Sequence, residues 1–329
     1  MENAIYRLTA PRTLEMTADG VPLQDVAALV RVRTLYSAIS PGTELAAFNG
    51  LPPLRETAAP YPRLVGYCNV GVVEKAPSDC PVREGDIVLT HASHRSHSSI
   101  PPGQVLATVP PEADLPAAAT TYLFHLGYAA TLKGNVRAGH HVAVIGLGTL
   151  GLTSASLAHR SGARVTGFSN HAEPDSHAHA FGLDRVRRKD EETSGQFDVV
   201  ITTSNSWSDW RLALELARRG GVIVMLGFPG RGEPAADFNP LSSQWVYDKQ
   251  LTITACGHTP NLDADPIDIR FTLKRNCAYL VGEIVAGRLP ARELISEIRP
   301  ASELPAVYQE LSLDRRQGRT VVLDWTDTK

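Results

Sequence analysis

The sequence has few cysteines and no C-x-x-C pair among them. Cys68, Cys80, Cys256 and Cys277 are scattered along the 329 residues, a spacing that indicates neither a disulfide framework nor a cysteine-based zinc cluster. Tandem repeats and low-complexity linkers are also lacking, because the 26 glycines and 23 prolines are spread over the whole chain. We therefore expect reduced thiols in a protein built from many short elements.

An excess of positive charge and long apolar runs are lacking as well. The 32 lysines and arginines are outnumbered by 35 aspartates and glutamates, whereas binding to a nucleic-acid backbone needs a basic surface. No run approaches the roughly 18 apolar residues of a membrane helix, and the start, MENAIYRLTAPRTL, has neither the apolar core nor the cleavage site of a secretion signal. We expect a cytoplasmic protein without a nucleic-acid or membrane partner.

The first third of the chain has the pattern of a mostly β domain. The chain has 329 residues, 43% of them hydrophobic, and is long enough for two domains. Short β-rich runs at Val30–Tyr36, Tyr67–Lys75 and Asp86–Thr90 are separated by turn signals, among them the turn Ser40–Thr43.

Beyond about Pro116, strand-like and helical patterns alternate. The predicted elements are strands at His141–Ile145, Arg164–Phe168, Phe197–Thr202, Val222–Gly227 and Leu251–Ala255, and helices at Leu150–Ser161, near Asp175–Phe181 and at Asp209–Arg219. Apolar strands separated by helices are typical of a parallel sheet buried on both faces, which predicts a doubly wound α/β domain. A last strand pattern, Thr320–Trp325, needs a sheet to join, and we place it on the first domain. The predicted domains are residues 1–117 with 262–329, and residues 118–261.

A glycine-rich loop follows the first strand of this α/β region. Gly146, Gly148 and Gly151 match G-x-G-x-x-G between the apolar strand and a helix that begins near Thr149 and Leu150. The first glycine allows a tight turn, the second lets the backbone approach a pyrophosphate, and the third lets the helix pack on the strand. We predict a dinucleotide site with these five residues, the alternative being a tight turn without a ligand.

The end of the next strand predicts which dinucleotide is bound. A carboxylate there would bind the ribose diol of NAD, but the strand ends in Ser169, Asn170 and His171. Four basic residues follow, Arg185, Arg187, Arg188 and Lys189, although such a run often forms only a solvated face. We predict NADP(H) rather than NAD(H), with Ser169, Asn170, His171, Lys189 and Leu226 in its site.

Three segments and the order of the two domains resemble the medium-chain dehydrogenase/reductase superfamily. The segments are Ile39–Glu44, Leu64–Cys68 and Arg83–Val88. The Ser-Pro-Gly-Thr-Glu turn is most similar to a branch that includes bacteriochlorophyllide hydroxyethyl dehydrogenases. The resemblance implies a Rossmann dinucleotide-binding domain and a GroES-like catalytic domain of mostly β structure.

The resemblance also implies which residues take the place of zinc ligands. Zinc-dependent members use Cys, His and a further Cys or Asp, whereas this chain has Pro41, Tyr67 and Tyr122 or a near neighbour of Tyr122. We expect a zinc-independent protein without a metal site. Thr43 matches the family's proton-relaying hydroxyl, and either tyrosine could donate a proton to the substrate oxygen or simply fill the vacated space. Glu44 is expected to order the turn.

Three histidines, His91, His94 and His97, follow at three-residue spacing. Their flanking Ser and Pro residues favour a loop or strand over a metal-binding helix. We predict His94 as an acid, a base or a substrate contact.

Together these features predict an NADP(H)-dependent, zinc-free oxidoreductase that interconverts a ketone or aldehyde and an alcohol on a small or medium-sized metabolite, with specialised metabolism as its expected setting. One alternative is reduction of an enone, a quinone or an imine with the same cofactor. Another is a nucleotide-binding protein without catalytic activity. A small-molecule substrate and a homodimer are expected.

Overall fold

The computed structural model divides into two compact units. It describes residues 4–18, 28–51, 60–170, 178–191, 195–265, 267–314 and 319–327. The first unit comprises Met1–Tyr122 and Thr259–Lys329, and the second comprises Leu123–His258. Among the residues described, no helix is long and apolar enough to cross a membrane.

The elements follow one another in three groups. The N-terminal group is β1 (Ala4–Ala10), β2 (Thr13–Ala18), β3 (Val30–Ala38), α1 (Pro41–Phe48), β4 (Arg63–Leu64), β5 (Asn69–Lys75), β6 (Ile87–Thr90), β7 (His97–Ile100), β8 (Val105–Val109) and α2 (Leu115–Ala119). The central group is α3 (Thr121–Lys133), β9 (His141–Ile145), α4 (Thr149–Arg160), β10 (Arg164–Ser169), β11 (Arg185–Arg188), β12 (Phe197–Thr202), α5 (Trp207–Leu216), β13 (Ala217–Met225), α6 (Ser243–Val246) and β14 (Thr252–Ala255). The C-terminal group is α7 (Leu273–Val285), β15 (Ile295–Pro300), α8 (Leu304–Leu313) and β16 (Thr320–Asp324).

The second unit contains the predicted parallel sheet. In the described part of the chain its order is β11-β10-β9-β12-β13-β14, and all neighbouring strands run parallel. This is the doubly wound Rossmann arrangement, in which the strand order reverses between β9 and β12. Ligands of such sheets bind outside the carboxyl ends of the strands at this reversal.

Two predicted helices of this unit are corrected by the structure. The helix predicted for Asp209–Arg219 ends at Leu216, because Ala217 already pairs with Phe197 in the parallel sheet. Of the helix predicted near Asp175–Phe181, the described part, Ala178–Phe181, is a short 3₁₀ helix.

The first unit is organised around a mixed sheet. For the residues described, its order is β15-β16-β3-β5-β6-β8, with β7 also pairing with β3. Strand β16 runs antiparallel to β3, so the C-terminal strand joins the sheet of the first third of the chain. The predicted turn at Ser40–Thr43 is instead the start of α1, because Pro41 at the first helical position has the fixed φ that a helix needs.

The core beneath α1 is built from residues far apart in sequence. Tyr6, Leu45, Tyr308 and Trp325 are all buried in one apolar cluster. The Tyr6 and Trp325 rings meet edge to face with their centroids 6.1 Å apart. The C-terminal segment therefore packs directly under the helix that carries Thr43.

Candidate active site

The start of α1 has an unusual cap. Ser40 occupies the N-cap position, but its side chain makes no capping hydrogen bond. Its backbone N–H instead donates to Glu44 Oε1 at 2.5 Å. Glu44 therefore orders the turn, as the sequence suggested, and Thr43 lies half-buried within the first helical turn.

Three hydroxyl groups meet at this turn. The Tyr67 hydroxyl donates to Ser40 Oγ at 2.5 Å, and the Thr43 hydroxyl is near enough to oppose the rise in the pKa of the phenol. Burial raises the pKa of Tyr67 far above its usual range, while the Ser40 and Thr43 hydrogen bonds oppose that rise. The phenol is therefore protonated at neutral pH and can serve as a hydrogen-bond or proton donor.

Tyr67 is also part of a group of three aromatic rings. Its ring centroid lies 5.2 Å from that of Tyr122 and 5.4 Å from that of His91. His91 and Tyr122 are closer still, at 4.6 Å. Burial raises the pKa of Tyr122, and loss of solvent around the His91 ring lowers the pKa of that imidazole. Around neutral pH all three rings are uncharged.

A pocket of about 330 Å³ opens beside these groups. Its lining residues are Thr43, Glu44, Ala47, Arg63, Leu64, Val65, Gly66, Tyr67, His91 and Ser93. Thr43 and Tyr67, which the sequence predicted, thus share one pocket with His91, whereas Tyr122 contacts it through the other two rings. Arg63 is the basic residue of this lining, and sequence reasoning did not single it out.

His94 does not have the predicted position. It is completely buried, with Nε2 3.0 Å from Glu44 Oε2 and Nδ1 2.8 Å from Ser37 Oγ. Because both ring nitrogens are engaged and the ring has no exposed surface, the prediction of a substrate contact is corrected. The histidine that lines the pocket is His91, three residues earlier, and spacing alone did not distinguish the two.

The His94–Glu44 pair belongs to a longer buried chain of hydrogen bonds. Trp325 Nε1 donates to Ser37 Oγ at 2.8 Å, and the Tyr308 hydroxyl donates to Glu44 Oε2. If His94 carries its proton on Nε2, every donor in the chain points towards the Glu44 carboxylate. In this arrangement each of these buried polar groups has a hydrogen-bond partner, and no additional charged group is needed.

In the second unit, the glycine loop has the geometry that a dinucleotide needs. Gly146 has φ of +87°, a conformation that favours glycine. A Cβ on Gly151 would lie 1.9 Å from the Gly146 carbonyl oxygen, whereas one on Gly148 would meet nothing within 4 Å. The start of α4, with Thr149 and Leu150, carries no side-chain cap, and the first turn of a helix is where backbone N–H groups bind a phosphate. These residues fit a pyrophosphate.

The end of β10 carries the residues that are predicted to select between NADP(H) and NAD(H). Ser169 closes β10, and the parallel register places Arg188 of β11 beside it. Lys189, however, is held by Asp209 at 2.6 Å, with both side chains largely buried. The ammonium thus already has a carboxylate partner, and the predicted contact of Lys189 with the cofactor stays a prediction. Asn170 is exposed after the strand.

The other two predicted cofactor residues are His171 and Leu226. His171 lies outside the described residues. Leu226 follows β13, and its N–H donates to the Thr202 carbonyl oxygen at 2.9 Å. Its side chain is buried, so any cofactor contact would have to come from the backbone or from a small exposed part of the side chain.

No three His, Cys, Asp or Glu side chains are arranged to hold a metal ion within the described part of the chain. Pro41 has no ligating side-chain atom. Tyr67 and Tyr122 are neutral phenols, which are poor ligands for zinc, since zinc is bound by thiolate, imidazole or carboxylate. The residues present do not fit the catalytic zinc of the resembled family.

Residues 149–261 match the family model described as zinc-binding dehydrogenase. This segment is similar to the zinc-binding dehydrogenase family. It begins with α4, extends just beyond the parallel sheet, and includes neither Pro41, Tyr67 nor Tyr122. The similarity therefore concerns the α/β region and not the pocket.

A curated protein similar to part of this chain is the probable formaldehyde dehydrogenase AdhA of Bacillus subtilis (strain 168). It is 27% identical over 117 residues, which is 34% of this chain and 34% of that protein. The matched stretch thus spans about a third of the relative's length.

Solved structures with a similar fold cover nearly all of this chain. Alcohol dehydrogenase TADH from Thermus sp. ATN1 has a TM-score of 0.77 at 19% identity, with 98% of this chain and 99% of that chain covered. L-idonate 5-dehydrogenase from Escherichia coli str. K-12 substr. MG1655 has a TM-score of 0.80 at 17% identity, with 98% of each covered. A putative zinc-binding dehydrogenase from Sinorhizobium meliloti 1021 bound to NADP has a TM-score of 0.77 at 17% identity, with 98% and 99% covered. These matches establish the α/β fold, with its Rossmann and GroES-like domains.

Proposed function

We propose that this chain is an NADP(H)-dependent oxidoreductase that interconverts a ketone or aldehyde and an alcohol without zinc. The observation that carries the proposal is the pocket in which Thr43 and the neutral phenol of Tyr67 lie together. In the reductive direction, a carbonyl compound, the reduced nicotinamide and one proton give the alcohol and the oxidised nicotinamide. When bound, the nicotinamide supplies the hydride that reaches the carbonyl carbon.

The residues of the pocket act on the carbonyl oxygen. Negative charge develops on this oxygen as the carbon is reduced, and without a Lewis acid it must be met by hydrogen-bond donors. Tyr67 donates its phenolic proton to that oxygen, and Thr43 donates a hydrogen bond. Tyr122 and His91 shield the phenol from water and keep it neutral.

The substrate class is tested by turnover with NADPH on a panel of small and medium-sized ketones and aldehydes. Parallel reactions contain an enone, a quinone or an imine. Turnover of carbonyl compounds supports the proposal, whereas turnover limited to the other three classes favours the alternative reduction. Tight NADPH binding with no turnover on any class would instead indicate a nucleotide-binding protein without catalytic activity.

Zinc independence gives a direct prediction. We expect the purified protein, incubated with zinc and then desalted, to hold far less than one zinc per chain and to keep its activity in a chelator. The reason is that Pro41, Tyr67 and Tyr122 offer no thiolate, imidazole or carboxylate. Elemental analysis measures the metal, and about one tightly bound zinc per chain would contradict the prediction.

Cofactor preference gives a second prediction. We expect NADPH to bind about ten-fold or more tightly than NADH, since a hydrogen bond to a charged group contributes about 1.5–3 kcal/mol. Ser169 carries a hydroxyl, and the Arg188 guanidinium beside it pairs with Asp190 in an exposed ion pair that a phosphate can replace. Fluorescence titration or calorimetry measures both affinities.

Two substitutions make the cofactor prediction specific. Ser169→Asp is expected to reverse the preference, because the new carboxylate repels a 2′-phosphate and accepts from a ribose diol. Arg188→Ala is expected to weaken NADPH but not NADH. Its control is Arg187→Ala, since neighbouring residues of a strand point to opposite faces. Equal or tighter binding of NADH than of NADPH by the unmodified protein would contradict the predicted cofactor preference.

A further inference from the structure

We propose that Ser40 is a positioning residue for the Tyr67 phenol, and that the buried Glu44–His94 pair holds Ser40 in place. The inference rests on the proposed function, because it concerns the proton that Tyr67 gives to the substrate oxygen. Sequence reasoning assigned no role to Ser40. Four observations carry the assignment, and all of them lie within the first unit.

The first observation is that Ser40 does not do what serine usually does at this position. A serine at an N-cap normally accepts a hydrogen bond from a backbone N–H in the first helical turn. Here the side chain makes no such bond, and its oxygen accepts the Tyr67 hydroxyl at 2.5 Å instead. The hydroxyl is thus turned away from the helix and towards the phenol.

The second observation is that water cannot take the place of Ser40. The residue is only 1% exposed, so the phenolic O–H is held by one fixed protein oxygen rather than by exchangeable solvent. A hydroxyl is also both a donor and an acceptor. Ser40 can therefore accept from the phenol in the absence of substrate. When a substrate oxygen accepts the phenolic O–H instead, Ser40 can turn its own hydroxyl to donate to the Tyr67 oxygen.

The third observation is that the backbone of Ser40 is fixed independently of its side chain. Its N–H donates to one oxygen of Glu44 at 2.5 Å, while the other oxygen accepts from Tyr308 and lies 3.0 Å from His94 Nε2. Glu44 is thus held from both sides. Rotation of the carboxylate, and with it movement of Ser40, would break several buried hydrogen bonds at once.

The fourth observation is the direction of the bonds. With the His94 proton on Nε2, each donor from Trp325 through Ser37 and His94 points towards Glu44. Both oxygens of the Glu44 carboxylate accept hydrogen bonds from these partners and from Ser40. Glu44 is therefore not the acceptor of the Tyr67 proton. When substrate binds, the Tyr67 O–H turns from Ser40 to the substrate oxygen, transfers its proton there and leaves a phenolate that accepts the Ser40 hydroxyl. The phenolate takes up a proton from solvent after product leaves.

The test is a double-mutant cycle in turnover with NADPH and a carbonyl substrate found in the panel. Ser40→Ala is expected to lower kcat about ten-fold, with KM changed less than about two-fold, because misplaced proton donors slow the chemical step more than binding. In a Tyr67→Phe background the same substitution is expected to change kcat less than about two-fold. Ser40→Cys has nearly the same shape but a weakly hydrogen-bonding thiol, and should behave like Ser40→Ala.

The control separates positioning from stability. Thr272 caps α7 by accepting from the Arg275 N–H and does not line the pocket. Thr272→Ala should lower stability through the lost cap but leave kcat unchanged. A separate cycle measured by chemical unfolding should show Ser40 and Tyr67 coupled by about five-fold in the unfolding equilibrium constant, the effect of one buried hydrogen bond.

The outcomes distinguish the two proposals. If Tyr67→Phe keeps full turnover, Tyr67 is not the donor, and the positioning role fails with it. If Tyr67→Phe loses turnover while Ser40→Ala does not, or if Ser40→Ala acts equally in both backgrounds, only the positioning role is overturned. A loss with Ser40→Ala that Thr272→Ala reproduces would also overturn it.

Discussion

Replacing Tyr67 by phenylalanine is expected to lower kcat by about 10²–10⁴-fold, the usual contribution of a positioned proton donor. The change keeps the ring and its contacts with Tyr122 and His91 and removes only the hydroxyl. NADPH affinity should therefore change little. Stopped-flow or steady-state oxidation of NADPH measures the effect.

A matched control exists in the same unit. Tyr61 donates its hydroxyl to the Ala47 carbonyl oxygen at 2.6 Å and does not line the pocket. Tyr61→Phe removes a comparable hydrogen bond, so it should cost similar stability but leave kcat unchanged. A space-filling role for Tyr67 predicts that both variants keep full turnover.

Substitutions of Thr43 and Tyr122 test which group donates the proton. Thr43→Val should also lower kcat, and a combined loss with Tyr67→Phe that is smaller than the product of the two would show that they act as one unit. If Tyr67→Phe keeps turnover while Tyr122→Phe loses it, the donor is Tyr122. If both keep it, the pocket imidazole of His91 becomes the candidate donor.

Glu44→Ala is expected to lower the free energy of unfolding by about 3–5 kcal/mol, because each buried donor that loses its acceptor costs about 1–3 kcal/mol. The carboxylate is 3% exposed, and its loss strands His94, the Tyr308 hydroxyl and the Ser40 N–H without their acceptor. Equilibrium unfolding in urea, followed by circular dichroism, measures the difference.

Two further variants, Glu84→Ala and Glu44→Gln, serve as comparisons for this stability prediction. Glu84 is exposed in the Arg83–Gly85 turn, and Glu84→Ala should change stability by less than about 0.5 kcal/mol. Glu44→Gln keeps the shape but replaces one acceptor oxygen by an NH₂ group facing a donor, so it should also destabilise. A Glu44→Ala loss no larger than that of Glu84→Ala would show that the buried network contributes little.

The sequence by itself determined the parallel sheet and the dinucleotide loop. Apolar strand runs and glycine spacing are local properties of the chain, and Gly146 and Gly151 have the positive φ and the close approach that their positions predicted. Residue identity also led to the prediction that Pro41 and Tyr67 stand where the resembled family has zinc ligands.

Only the tertiary structure decided which polar residues meet. His94 and Glu44 are 50 residues apart in the chain, and Tyr308 and Glu44 are 264 apart. Three-residue spacing does not say which of two histidines faces a pocket, because His91 and His94 lie in an irregular segment without a fixed period. The roles of Ser40 and His91 follow from contacts between distant segments, which depend on how β3, α1, α8 and β16 pack rather than on any local pattern.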